Sequence, residues 1–323
     1  MEALRPPGVG LRAVAALAAI GMFVINAVGF LDTQTGSALG CGRDWPLCNG
    51  RVIPALNNLH VDIEFAHRAL VGGFAVVAAV FVLWAYLRYR QWEEVRWLSA
   101  IGIGFILIQS VLGALAVIFV NPPEVLALHL GFGLMAMEGV GLLAVFLFQL
   151  TSAGSGLSLR RQPLDPRVRR WLWATWIGFY VVIYWGSFVA FVGAGAACPA
   201  WPLCAGWQLG PLGLLAAFNL LHRLLALALF AVACGAAAAV SRLAPERVDL
   251  RRGSWFVVLG LILQGWSGAH LVWTHLATGP DLLHVVLVMV LFSVSSYLVM
   301  QAMPYRVPRK ARSANPLRPR TNP

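Results

Sequence analysis

Glu64-Phe65-Ala66-His67-Arg68 opens directly onto Ala69-Leu70-Val71-Gly72-Gly73-Phe74, and the run continues to Leu87 without another charge. Read as one segment, 62–87 exceeds the roughly 20 apolar residues that cross a bilayer as helix. Seven further segments read the same way, at 11–31, 97–120, 125–150, 171–193, 213–240, 254–274 and 281–303. The first is longer in its apolar part than a signal-peptide core, lacks a cleavage site and has a counterpart at 171–193, so it counts as a membrane helix. Composition agrees: 59% of the 323 residues are hydrophobic, 11% are charged, and mean hydropathy is +0.76. A soluble domain is usually about a quarter charged. The apolar runs are continuous rather than alternating, which excludes a membrane β-barrel. The expected fold is an all-α polytopic membrane protein of eight transmembrane helices.

The net charge of +11 comes almost wholly from Arg. No Arg block is interleaved with aromatics, so no nucleic-acid partner is expected. Arg instead concentrates in alternate connections: Arg88, Arg90 and Arg96, then Arg160, Arg161, Arg167, Arg169 and Arg170, then Arg242, Arg247, Arg251 and Arg252. The positive-inside rule places these connections and both termini in the cytoplasm. The loops that carry cysteine then face outward from a multi-pass protein of the cell membrane. The Arg/Pro-rich tail from Arg306 to Pro323 reads as a disordered cytoplasmic end.

The opening motif has an echo, Asn219-Leu220-Leu221-His222-Arg223, 155 positions on. The same offset carries Gln109 to Gln264, Gly113 to Gly268 and His129 to His284, and near the first loop it drifts to 156–157, carrying Trp45-Pro46-Leu47-Cys48 to Trp201-Pro202-Leu203-Cys204 and Cys41 to Cys198. The chain therefore divides into an N-terminal four-helix half (1–150), a cytoplasmic linker (151–170), a C-terminal four-helix half (171–303) and a basic tail (304–323). Parallel repeats imply two pseudo-symmetric bundles related by an axis along the membrane normal.

Of seven His, four fall in one register of the repeat: His67, His129, His222 and His284. A lone His in a membrane helix is ordinarily an interhelical hydrogen-bonding residue. Four at matched depth point to function. Two imidazoles facing each other across a bundle ligate a haem iron from both sides. Zinc competes, but its tetrahedral site wants three or four ligands and each half offers two His, with Glu64 in one half. Gly72, Gly73, Gly131 and Gly133 are expected to let a flat ring approach the backbone, or else to serve close helix packing. Arg68 and Arg223 are candidates for haem propionates or for snorkelling to the interface. Cys41 with Cys48 and Cys198 with Cys204 read as short-loop disulfides on the oxidising side, structural or exchanging. Cys234 reads as a small apolar residue, and His60, His270 and His275 as interfacial. Glu64 shares a helix face with His67. It suits proton transfer, or orientation of His67. Its counterpart Asn219 cannot titrate, so one half reads as reactive and the other as a cofactor carrier.

At these residues the chain resembles the haem A synthase family, over about 11–303. The motifs are Thr35-Gly36-Ser37 leading into Cys41-Gly42, Trp45-Pro46-Leu47-Cys48, Glu64-Phe65-Ala66-His67-Arg68, Leu128-His129, Cys198 with Trp201-Pro202-Leu203-Cys204, Leu221-His222-Arg223 and Leu283-His284. The resemblance implies an oxidoreductase that converts the C8 methyl of haem O to the formyl of haem A for cytochrome oxidase. By the same likeness His67 and His129 bind the substrate haem, Glu64 is needed for turnover, and His222 and His284 ligate a haem b that passes electrons. It also implies disulfides Cys41–Cys48 and Cys198–Cys204, and haem O synthase and oxidase assembly factors as partners; the electron donor or acceptor is unassigned, and the sequence leaves both a monomer and a homo-oligomer open. Ligation of the substrate iron by both His leaves no site for O2. Either one His leaves, or the methyl is oxidised by electron removal and attack of water. Two other classes compete. A di-haem b-type electron carrier explains the four His but not the single Glu64, and a haem transporter or chaperone explains sites near the outer surface.

Overall fold

The computed structural model describes residues 6–151, 160, 163–204 and 213–304. It is helical, with α1 (Val9–Gln34), α2 (Leu59–Tyr89), α3 (Glu93–Ile118), α4 (Pro123–Thr151), α5 (Pro166–Phe191), α6 (Leu214–Leu243), α7 (Val248–Trp273) and α8 (Thr278–Ala302). All eight are long and apolar enough to cross a membrane. Each expected span is present, and the ends move by a few residues where local chemistry decides. Asn58 accepts from the His60 amide at 3.0 Å and starts α2 ahead of its apolar run. Asp165 accepts from the Arg167 amide at 2.7 Å and Pro166 occupies the first helical turn, so α5 begins inside the expected 151–170 linker. The rest of that linker, apart from Thr151, Arg160 and residues 163–165, and the tail from 305 lie outside the described residues.

The two halves repeat down to their turns. α1 ends with Gly36 at φ +69°, the Gly36 amide on Thr33 O at 3.1 Å and the Ser37 amide on Asp32 O at 2.9 Å. α5 ends with Gly193 at φ +72°, the Gly193 amide on Ala190 O at 3.2 Å and the Ala194 amide on Val189 O at 2.9 Å. Both are glycine-terminated helix ends of the same design. The structural offset here is 157, which fixes the residue-by-residue correspondence of α1 with α5.

α1 to α4 pack together and α5 to α8 pack together. The halves meet through α4 against α5, α1 against α8 and, between them, α4 against α8. At that last crossing Ser293 Oγ donates to Glu138 Oε1 at 2.6 Å. These two residues are separated by 155 in sequence, the repeat offset itself. Contact between equivalent positions of two repeats lies on the axis that relates them, so Glu138 and Ser293 mark the pseudo-two-fold axis. Beside them Trp176 Nε1 donates to Ser296 Oγ at 2.9 Å, and the Trp176 ring stacks on Phe292 with centroids 5.6 Å apart. Outside this seam the helices present Leu107, Val111, Leu259, Leu263 and Trp266, the apolar surface that lipid covers. Glu138→Ala is expected to cost about 1–3 kcal/mol, through a lost buried hydrogen bond and a small void. Thermal unfolding in detergent checks this, with Glu138→Gln close to wild type because its amide oxygen still accepts from Ser293.

Candidate functional site

The four register-matched His occupy equivalent places. His67 is eight residues into α2 (67 − 59) and His222 eight into α6 (222 − 214), whereas His129 is six into α4 (129 − 123) and His284 six into α8 (284 − 278). At 1.5 Å per residue these are depths of about 12 and 9 Å from the helix starts. His67 and His129 line one cavity of about 30 Å³ with Asn26, Gly29, Gln109 and Phe191. The two imidazoles of each half lie within electrostatic reach of each other. Among the described residues no three His, Cys, Asp or Glu converge as a metal cluster.

Each imidazole meets a glycine of the neighbouring helix. A methyl built on Gly29 of α1 would stand 2.7 Å from His67 Cε1, and one on Gly186 of α5 2.7 Å from His222 Cε1. On Gly113 of α3 it would stand 3.0 Å from His129 Cε1, and on Gly268 of α7 3.3 Å from His284 Cε1. Four glycines on four helices thus make room for four imidazoles. The glycines expected to let a flat ring approach the backbone, or to pack helices closely, stand elsewhere: Gly72 and Gly73 have open space beside them, whereas Gly131 faces Tyr180 and Gly133 packs on Asn26 and Gln109. The repeat relates Gly29 and Gly186, which are 157 apart, but which helix faces which imidazole is a property of packing.

The hydrogen bonds of the imidazoles also repeat. The Nδ1 atoms of His67 and His222 are buried without a partner. His129 Nδ1–H donates to Gln109 O at 3.1 Å. The Ser267 hydroxyl donates to Gln264 O at 2.8 Å and so accepts from His284 Nδ1–H, also at 2.8 Å. A bond at Nδ1 leaves Nε2 as the free ring nitrogen of His129, whereas His284 Nε2 lies 3.2 Å from the Gln264 amide nitrogen. Each half thus offers two imidazoles, one tethered at Nδ1 and one not, the donor set that a haem iron takes.

Outward from the imidazoles each half is latched to its outer loop. Cys41 is bonded to Cys48 and Cys198 to Cys204. Glu64 Oε1 accepts from both Arg68 Nε, at 3.0 Å, and Arg68 Nη2, and Glu64 Oε2 accepts from the Cys41 amide at 2.6 Å. Arg68 Nη1 donates to Leu47 O at 2.6 Å. In the other half Asn219 Oδ1 accepts from Arg223 Nε at 2.9 Å and Asn219 Nδ2 donates to Ala194 O at 3.1 Å. Arg223 reaches Ala200 O, Pro202 O and Cys198 O at 2.7, 2.8 and 3.3 Å. Glu64, 2% exposed, is therefore a paired carboxylate rather than an isolated one. Both guanidinium groups clamp a disulfide loop onto the helix that carries the first His. Of the other three His, His60 bonds Ser37 Oγ at 3.0 Å and His270 stacks on Trp266 at 5.3 Å, whereas His275 stands in the α7–α8 turn at φ +52°. Cys234 is a half-buried free thiol on α6.

Comparison with known proteins follows the same lines. Residues 57–296 match the COX15-CtaA family, described as cytochrome oxidase assembly protein. The heme A synthase of Geobacillus kaustophilus is 34% identical over 303 residues, 93% of this chain and 94% of that one. That of Geobacillus thermodenitrificans is 32% identical over 294 residues, 91% and 92% of the two chains. That of Bacillus licheniformis is 30% identical over 299 residues, 92% and 97% of the two. With two latched bundles, four slotted imidazoles and relatives matched over nearly their whole length, the chain belongs to the haem A synthase family.

Proposed function

We propose that the protein is a haem A synthase, an oxidoreductase that oxidises the C8 methyl group of haem O to the formyl group of haem A. The observation that carries this reading is a pair of equivalent imidazole sites of which only one carries a carboxylate, Glu64, against Asn219 in the other. His67 and His129 hold the substrate haem in the N-terminal half. His222 and His284 hold a haem b, which when bound supplies a one-electron relay beside the substrate.

The residues divide the remaining work. Gly29, Gly113, Gly186 and Gly268 admit the imidazoles and keep side chains out of the ring plane. Gln109 and Ser267 orient His129 and His284. Glu64 serves the proton bookkeeping of the methyl oxidation, which releases protons whether oxygen comes from O2 or from water. Arg68 and Arg223 hold the loops over the sites, and their remaining N–H donors are the candidates for propionate contacts. The Arg-rich connections and both termini face the cytoplasm and the disulfide loops face outward. Haem O synthase is the expected supplier of the substrate and cytochrome oxidase assembly the destination of the product.

The test is to express the protein with haem O available and analyse the extracted haems. Hydroxylated or formyl haem is expected. Unchanged haem O with both sites loaded would overturn the assignment and favour a di-haem carrier.

A further inference from the structure

The layer one turn outward from the first imidazole differs between the halves by more than Glu64. Gly29 faces His67 on antiparallel α1 and α2. Three residues later on α1 and three earlier on α2 stand Asp32 and Glu64, on the same faces. The equivalent layer of the other half, three residues beyond Gly186 and three before His222, is Val189 and Asn219. Asp32 is the sole acidic residue of α1. It is 5% exposed, lies within electrostatic reach of Glu64 and Arg68, and its Oδ1 is buried without a hydrogen-bond partner. Both Glu64 oxygens, by contrast, are occupied by Arg68 and the Cys41 amide.

The polar residues continue outward. Thr35, one turn beyond Asp32, places Oγ1 2.9 Å from Leu31 O, 3.2 Å from the main-chain O of Asp32 and 2.7 Å from Ser37 Oγ. Ser37 Oγ lies 3.0 Å from Nδ1 of His60, which is exposed at the start of α2. The C-terminal half has Val192, Ala194 and Leu215 at these places. Five positions that hold or pass protons in one half, Asp32, Thr35, Ser37, His60 and Glu64, are thus Val, Val, Ala, Leu and Asn in the other.

We propose that the N-terminal half carries its own proton route to the outer face, in which Asp32 is the proton-holding partner of Glu64 and the Thr35, Ser37 and His60 chain, one turn farther out, leads to solvent. Glu64 and Arg68 already cancel as a buried pair, so a second bare carboxylate beside them would leave net charge in a low-dielectric layer. A proton on Asp32 removes that cost. A proton released at the site enters the Asp32–Glu64 pair and another leaves across a bridging water to the hydroxyls, each carrier accepting one proton and passing one on. No charge accumulates, and no redox partner is required for this step. Asp32 acts through Glu64 and is a positioning and proton-holding residue. The inference rests on the haem A synthase reading.

The test uses full-length protein loaded with haem O, in Asp32→Asn, Asp32→Val, Ser37→Ala and His60→Leu forms. Each is expected to lower haem O conversion about tenfold or more with both haem contents unchanged, and to enlarge the deuterium solvent isotope effect. The infrared difference spectrum on reduction is expected to show a deuterium-sensitive carboxylic acid stretch that Asp32→Asn removes. Wild-type conversion in both Asp32 variants, or a stretch unchanged in Asp32→Asn, would overturn the route. Should the Asp32 variants fail to fold, Ser37→Ala and His60→Leu decide it, and a wild-type rate and isotope effect in both would overturn it. A wild-type protein that yields no oxidised haem overturns the enzymatic reading instead, and the infrared band still reads the protonation of Asp32.

Discussion

Glu64→Gln is expected to lower haem O conversion by roughly a hundredfold or more while the spectrum of the C-terminal haem persists. The substitution removes the ionisable group, but its structural effect also follows from the geometry. Glu64 Oε2 accepts from the Cys41 amide, and Oε1 accepts from Arg68. A Gln can satisfy one of these with its carbonyl oxygen, and its NH2 then points a donor at a donor. The other half shows what an amide needs at this place: Asn219 turns its NH2 to the carbonyl of Ala194 and its oxygen to Arg223. Replacing the carboxylate also leaves Arg68, 15% exposed in its side chain, without its counter-charge. Breaking a buried pair from one side costs about 3–5 kcal/mol, so the variant is expected to melt earlier as well. Extracted haems report the chemistry, and thermal unfolding in detergent reports the latch. Asn219→Ala, by contrast, is expected to loosen the C-terminal loop without stopping the conversion outright.

The second large effect is expected at the glycines. Gly29→Ala and Gly186→Ala each place a methyl 2.7 Å from an imidazole carbon, closer than side chains tolerate, and the obstacle is a ring whose position the site depends on. Overpacking of this kind costs about 1–3 kcal/mol, equivalent to roughly a tenfold to hundredfold loss in haem affinity at the half concerned. Gly113→Ala, at 3.0 Å, is expected to do less, and Gly268→Ala, at 3.3 Å, least. Haem titration of each purified variant gives the order directly. A flat response across the four, or a loss in the half opposite the substitution, would contradict the slot arrangement.

Much of this was legible in the chain before any coordinates. Eight continuous apolar runs leave little choice of fold, because only helices satisfy their own backbone in lipid. The repeat brought His67, His129, His222 and His284 into register, and the cysteine spacings agreed with the disulfides Cys41–Cys48 and Cys198–Cys204. What was not legible depends on which faces of different helices meet. Gly72 and Gly73 sit near His67 in sequence, yet the glycine that fits against its ring is Gly29, from another helix. Glu64 stands four residues before Arg68, a spacing that allows their ion pair, but its second partner, the Cys41 amide, is a backbone group that no residue type announces. Glu138 passed as an ordinary residue of α4 until its contact with Ser293, its own equivalent in the repeat, placed it on the axis between the halves. Asp32 lies at the end of the first apolar run and gained meaning only from standing in the layer of Glu64.

The proposed division of labour between the two equivalent sites is tested most directly by removing one imidazole from each. Haems are extracted from His67→Ala and His222→Ala proteins expressed with haem O, and the bound b-type spectrum is recorded before extraction. His67→Ala is expected to keep the b-type spectrum and to yield no oxidised haem, whereas His222→Ala loses that spectrum. Formyl haem from His67→Ala at the wild-type level, or equal loss of both spectra in either variant, would contradict the assignment of chemistry to the N-terminal half.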